Sequence, residues 1–244
     1  ITGGSRGIGA QTALALGEAG CDIVLTYRNK AARAEEVAAA IIQRGQKALP
    51  LACDITQAEA IAEMREQVCQ WTDHLDVLVL NASGGLERDL VAAHPDYPML
   101  INRDAQLSLV EAVLPLLSPG SVIVFVTSHW AHLHGQIQQI PAYEPVARSK
   151  HAGEMALRAL QPDLTSRGVR LIVVTGDLIE GTITPKLLER TAPGLISQRR
   201  TTHGALPTAR DMGRTIAQAA LDPSLPSGST IVIGAPLQSL LASS

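Results

Sequence analysis

Short runs of β-branched and apolar residues alternate along this chain with longer Ala- and Leu-rich stretches, and few architectures accept that alternation. The runs cover residues 23–25, 77–80, 122–126, 171–174 and 231–233. Each is short and uniformly apolar, so each reads as a strand buried on both faces. Between them, residues 11–19, 31–44, 58–71, 99–117, 147–164 and 209–221 read as helices. Strands that alternate with helices pair in parallel through right-handed crossovers. The expected fold is therefore α/β, a doubly wound parallel sheet flanked by helices. No repeat, low-complexity tract or linker divides the 244 residues, which read as a single domain.

A domain of this class and size hides about 70–75% of its unfolded surface. The net charge of -3, with no basic block, argues against a general nucleic-acid binder. Cys21, Cys53 and Cys69 are odd in number and lack metal or redox spacing, which favours a reduced, cytoplasmic location. No apolar run approaches the ~18 residues of a membrane span, and no signal peptide is visible. The chain opens at Ile1, inside a strand pattern and without a methionine, so a native N-terminal segment is expected ahead of it. Two stretches fit the alternation poorly. Residues 129–141 are polar and carry Gly135, and residues 176–207 carry Pro185, Pro193 and Pro207. Both follow strands and so lie at the sheet's carboxyl end, where such folds bind ligands. The second is expected to form a substrate loop or lid.

Thr2-Gly3-Gly4-Ser5-Arg6-Gly7-Ile8-Gly9 opens the first helix. Glycines allow a tight turn and close approach of backbone to phosphate, and free N–H groups at the helix start bind the anion. The spacing T-G-x-x-x-G-x-G departs from the common dinucleotide fingerprint G-x-G-x-x-G. It resembles that of the short-chain dehydrogenase/reductase family, whose fold is a Rossmann-like single domain. Gly3, Ser5, Arg6, Gly7, Ile8 and Gly9 are the cofactor-binding candidates of this loop. An NAD site places an acid after the second strand, whereas this chain has Tyr27-Arg28-Asn29. Arg28, with Asn29 beside it and Arg6 in the loop, favours a 2′-phosphate through charge-assisted bonds, hence NADP(H).

Other landmarks of the resemblance follow in order. Asp54-Ile55 is similar to the family's adenine contact, and Asn81-Ala82-Ser83-Gly84 to its Asn-Ala-Gly turn. Asn102 matches the Asn that organises a catalytic water chain. Ser128 matches the serine that orients substrate, and can donate to a carbonyl oxygen. Lys150, in Arg148-Ser149-Lys150-His151-Ala152, matches the lysine that bonds the nicotinamide ribose and lowers the neighbouring tyrosine's pKa. Ile179, beyond Thr175-Gly176, stands among the expected cofactor contacts, and Thr182 or Thr184 is expected to meet the carboxamide.

The family's tyrosine lies four residues before this lysine, and here that position is Val146. Tyr143 lies seven before it. Four helical residues turn the direction by about 40° and seven by about −20°, so both intervals keep one face. The axial separation grows from about 6 Å to about 10.5 Å. Pro145 disfavours helical geometry at Glu144 and suits a helix's first turn, so Tyr143 is expected to precede the helix. The longer interval is similar to that of the enoyl-thioester reductases of the same superfamily.

The resemblance implies an NADPH-dependent reductase acting on a ketone or 3-oxoacyl-type carbonyl, with catalytic residues Ser128, Tyr143, Lys150 and Asn102. Reduction of an enoyl thioester is the alternative. A non-catalytic nucleotide-binding sensor or scaffold is a third reading. By resemblance the chain is expected to form a homo-oligomer, a tetramer or dimer. His129, His132 and His134 lack flanking acids or thiols, and read as surface or pocket lining rather than a metal site. A substrate contact or proton relay stays open for His129. Arg199-Arg200 reads as a solvated charge pair, or as a partner for a phosphate of coenzyme A or a carrier arm.

Overall fold

A computed structural model describes residues 1–242. Its strands are β1 (Ile23–Tyr27), β2 (Ala48–Ala52), β3 (Leu75–Leu80), β4 (Leu117–Ser128), β5 (Arg170–Gly176) and β6 (Thr230–Ile233). All pairings are parallel: β1 with β2, and β3-β4-β5-β6 in that order. Residues 1–4 join the two groups. On one side Thr26 N–H donates to Ile1 O (2.9 Å) and Gly4 N–H to Thr26 O (2.8 Å); on the other, Thr2 N–H donates to Val79 O (3.0 Å). The layer therefore reads β2-β1-(residues 1–4)-β3-β4-β5-β6. Strand β2 is on the outside, which is where its Pro50 costs no ladder bond.

Helices α1 (Gly7–Glu18), α2 (Ala31–Ile42), α3 (Ala58–Trp71), α4 (Arg88–Ala93) and α5 (Tyr97–Met99) precede a π-helical turn, Leu100–Asp104. Then come α6 (Ala105–Val113), α7 (His129–His132), α8 (Glu144–Ala159) and α9 (Gln161–Ser166). Last are α10 (Ile183–Thr191), α11 (Leu195–His203), α12 (Ala209–Leu221) and α13 (Leu237–Leu241). The strand period of two divides the core. Val122, Val124 and Val126 of β4 pack with α1, α2 and α12, while Ile123 and Phe125 pack with α3, α6 and α8. Helix α12 starts at a capping box: Thr208 Oγ1 accepts the Asp211 N–H, and Asp211 accepts the Thr208 N–H.

Three expectations need correction. The helix expected over 99–117 is a composite of α5, the π turn and α6, closed by a 3₁₀ turn, Leu114–Leu116. The helix expected over 147–164 breaks at Leu160, because Pro162 suits only a new first turn. Neither long stretch is structureless: α7 lies in 129–141, and α10 and α11 lie in 176–207. Trp130, Leu133, Ile137 and Ile140 are buried with Tyr143, Val146, Leu178, Leu188, Leu206 and Leu240 in a third apolar cluster above the sheet's carboxyl end.

Candidate active site

The carboxyl ends of the strands open into a cleft of about 450 Å³. Gly3, Ser5, Arg6, Gly7 and Ile8 line one wall. Their loop enters α1 at Gly7, so the first-turn N–H groups lack helical acceptors and can bind an anion. Thr2 underpins the loop: its Oγ1 accepts from Asn81 N and Ala82 N, both at 3.0 Å. Asn81 Nδ2 donates back to Thr2 O (2.9 Å) and Gly3 O (3.3 Å). Asn81 and Ala82, themselves on the cleft wall, are thus tied to the glycine loop. Gly9 does not line the cleft. It packs on Gly3, whose carbonyl oxygen a Cβ would overlap, so its role is to let α1 approach the loop.

Arg28, Asn29, Lys30, Arg33, Asp54 and Ile55 line the far end with Arg6. Four cations against the carboxylates of Asp54 and Glu87 make this end attractive to an anion. Asp54 Oδ1 accepts from Thr56 N (3.0 Å) and Oγ1 (2.7 Å), which fixes the carboxylate. Arg28 Nη1 donates to Tyr97 Oη at 2.7 Å. Lys30 and Arg33 join Arg28 and Asn29, the two positions expected from the sequence, in the same cation-rich turn and helix start.

At the other end Tyr143 immediately precedes α8, as Pro145 in its first turn implied, although Glu144 is already helical. Its hydroxyl donates to Ser128 Oγ at 3.0 Å, and Ala131 N–H donates to the same oxygen at 3.3 Å. Tyr143, Ser128 and Lys150 all line the cleft, whereas Val146 is buried in the third apolar cluster. Burial raises the Tyr143 pKa, with the bond to Ser128 opposing, so the phenol is a neutral donor. The lowering of this phenol that the resemblance implied is not what the structure shows. Lys150 is 7% exposed, and burial lowers its pKa to about 8 against the opposing charge of Glu154. That carboxylate, fully buried one turn on, bonds His132 Nδ1 (2.9 Å) and Arg158 Nε (2.9 Å).

Several candidates lie behind the cleft wall. Asn102 is buried in the π turn; its amide donates to Gly84 O (2.9 Å) and Ser149 Oγ (2.9 Å), and its oxygen accepts from Gly84 N (3.3 Å). It ties the Asn81–Gly84 turn to the residue before Lys150. His129 is fully buried between Thr175 Oγ1 (3.1 Å) and Ala235 O (3.0 Å), and burial lowers its pKa to about 4. It does not line the active-site cleft, so it does not contact a substrate held there. Arg199 is not a solvated charge: its guanidinium grips Asp177 through Nε–Oδ1 (3.0 Å) and Nη2–Oδ2 (3.0 Å) and lies 5.2 Å from the Trp130 ring centroid. Arg200 pairs with Glu180 at the surface. Ile179, Thr182 and Thr184 line the cleft, with Thr182 Oγ1 donating to Ile179 O (2.7 Å).

Two further observations bear on what the cleft holds. Thr127 Oγ1 is buried on its wall with no hydrogen-bond partner, and no described residue hydrogen-bonds the Lys150 ammonium. Polar groups left so are ordinarily matched by a ligand or water. Together with the cations and the free helix N-terminus, they fit a phosphate-bearing dinucleotide.

Residues 1–191 match the family model described as short chain dehydrogenase. The chain belongs to the short-chain dehydrogenase/reductase family. It is an oxidoreductase of that family, with the doubly wound fold expected of it. This short-chain dehydrogenase/reductase is similar to versicolorin reductase 1 of Dothistroma septosporum, 26% identical over 197 residues, 80% of this chain and 73% of that protein. It is similar also to 1-cyclohexenylcarbonyl-CoA reductase of Streptomyces collinus, 27% identical over 186 residues, 74% and 64% of the two chains. A short chain dehydrogenase from Burkholderia cenocepacia J2315, solved in complex with NADP, superposes with TM-score 0.82 at 27% identity, covering 98% of this chain and 96% of that one. Among the described residues, no group of His, Cys, Asp or Glu could hold a metal ion, and no helix is long and apolar enough to cross a membrane.

Proposed function

We propose that this short-chain dehydrogenase/reductase uses NADPH to reduce a ketone or 3-oxoacyl-type carbonyl. The observation that carries the reading is the Tyr143–Ser128 hydrogen bond on the cleft wall. A serine hydroxyl has one proton and two lone pairs. Tyr143 and Ala131 occupy the lone pairs, which leaves the Ser128 proton for a substrate oxygen. NADPH, when bound, supplies hydride to the carbonyl carbon. The oxygen takes a proton, so C=O becomes CH–OH, and the neutral Tyr143 phenol is the donor that makes good this proton. Lys150 holds ribose hydroxyls with its unpartnered ammonium. Asn102 acts as a positioning residue, fixing Ser149 beside Lys150. Gly3, Ser5, Arg6, Gly7, Ile8, Asn81, Ala82 and Ile179 embrace the pyrophosphate and nicotinamide half, and Arg28, Asn29, Asp54 and Ile55 the adenosine half. Residues 176–207, with α10 and α11, form the lid. NADP in the solved relative of 27% identity supports the cofactor.

Enoyl-thioester reduction is the second reading. The seven-residue Tyr143–Lys150 interval favours it, as does the similarity to a protein named 1-cyclohexenylcarbonyl-CoA reductase. The same Ser128–Tyr143 pair would polarise the thioester oxygen while hydride reaches the β-carbon, and the resulting enolate would take a proton at the α-carbon to give the saturated thioester. NADPH consumption across matched ketones and enoyl thioesters separates the two: ketone turnover is expected, and turnover of enoyl thioesters alone would reverse the assignment. No consumption with either set would leave a non-catalytic nucleotide-binding protein.

Two expectations follow from the charges. Arg28→Ala should weaken NADPH binding by about ten- to a hundredfold, the worth of a charge-assisted bond, and NADH binding by less than about twofold; calorimetry on the free protein checks this. Lys150 is cationic below its pKa of about 8 and loses the charge above it. Reductive kcat/KM should therefore fall as pH rises through about 8. Because the Glu154 carboxylate supports the cation, Glu154→Gln should move that falling limb to lower pH.

A further inference from the structure

We propose that Tyr97 is a positioning residue for cofactor selectivity, holding Arg28 so that one edge of its guanidinium is reserved for a 2′-phosphate. The inference rests on the NADPH reading above and adds to it a residue outside the nucleotide motifs. Tyr97 begins α5, between the Asn81–Gly85 turn and the π turn. Its ring is 6% exposed and belongs to the core cluster that includes Leu80, Ile101 and Ala105. The backbone position is thus fixed by packing, and the hydroxyl emerges from the core at the cleft's cationic end.

Arg28, by contrast, is an exposed residue just after β1. A free arginine there would spread over many rotamers, at up to about 2 kcal/mol of side-chain entropy to recover on binding an anion. The 2.7 Å bond from Nη1 to the Tyr97 hydroxyl removes much of that freedom before any ligand arrives. Nη1 lies at one edge of the guanidinium fork. Nε and Nη2 at the adjacent edge have no bond among the described residues, and that pair makes bidentate contact with phosphate oxygens.

The neighbouring acid does not compete. Glu87 also faces this end of the cleft, but its Oε2 accepts from Gly85 N (2.8 Å) and Leu86 N (3.1 Å). Burial, with Glu87 adding to it, raises the Tyr97 pKa, so the phenol is neutral and serves Arg28 as a hydrogen-bond acceptor.

The test compares 2′,5′-ADP with 5′-AMP, which differ by the 2′-phosphate alone, binding to the whole protein by calorimetry. Tyr97→Phe keeps the buried ring and removes only the hydroxyl. It should weaken 2′,5′-ADP about fivefold and 5′-AMP less than about twofold. In an Arg28→Ala background the same change should have no further effect on 2′,5′-ADP, since the two act as one unit. Equal weakening of both ligands, tighter binding of 2′,5′-ADP, or full additivity with Arg28→Ala would each overturn the proposal. If Arg28→Ala leaves the preference for 2′,5′-ADP intact, the NADPH assignment at Arg28 falls with it. Failure of Tyr97→Phe alone leaves that assignment standing.

Discussion

Tyr143→Phe should lower kcat for NADPH-dependent reduction by at least about a hundredfold, the usual worth of a positioned proton donor. NADPH binding should hardly change. The ring stays in the apolar cluster with Trp130, Leu178 and Leu188, and only the bond to Ser128 is lost. One hydrogen bond is worth about 1 kcal/mol of stability, too little to unfold the domain. Single-turnover measurements at saturating NADPH separate this loss from a binding defect. Full activity in Tyr143→Phe would take the proton from Tyr143 and void the catalytic assignment. The phenylalanine variant also tests the interval itself, because Val146 in the family's usual position has no proton to give.

Gly153→Ala should destabilise the fold by about 2 kcal/mol net, despite alanine being the better helix former by about 1 kcal/mol. Gly153 lies on α8, one turn beyond Lys150, where the helix meets the π turn. A Cβ there would overlap the carbonyl oxygen of Asn102, with Asn102 C at 3.1 Å and Arg103 Cα at 3.4 Å. These are backbone atoms and cannot swing aside as a side chain could. Thermal unfolding should report a melting temperature lower by roughly 4–8 °C for a domain of this size. The two elements forced apart carry Lys150 and Asn102, so kcat/KM should fall with it. An unchanged melting temperature would mean that α8 slides on the π turn without cost.

Much of this molecule was legible because its information is local. Strands buried on both faces are written as β-branched runs, so residues 77–80 and 122–126 stood out. The outer strand β2 did not, since Pro50 and partial exposure break its pattern. Helix α12 was bounded correctly at Ala209–Leu221. The glycine loop and the interval from Tyr143 to Lys150 were likewise readable in sequence, and the structure places Tyr143 before its helix. Features that depend on distant partners were not. Pro185 marks the stretch 176–207 as an expected loop, yet it sits in the first turn of α10, where proline is tolerated. His129 read as an open loop residue, but its two partners lie 46 and 106 residues away. Arg199 meets an acid 22 residues earlier, across a stretch that read as loop.

That last pair decides how α11 is held. Asp177 is 1% exposed in its side chain and Arg199 11%, so α11 is fastened to the sheet by a buried ion pair. The carboxylate does not depend on the guanidinium alone: Leu178 N–H donates to Oδ1 (2.7 Å) and Ala235 N–H to Oδ2 (3.3 Å). Loss of the arginine would still leave the acid two amide donors. The fastening therefore combines one buried ion pair with two amide bonds, so the acid that anchors α11 stays paired to the sheet's own backbone whatever becomes of the arginine.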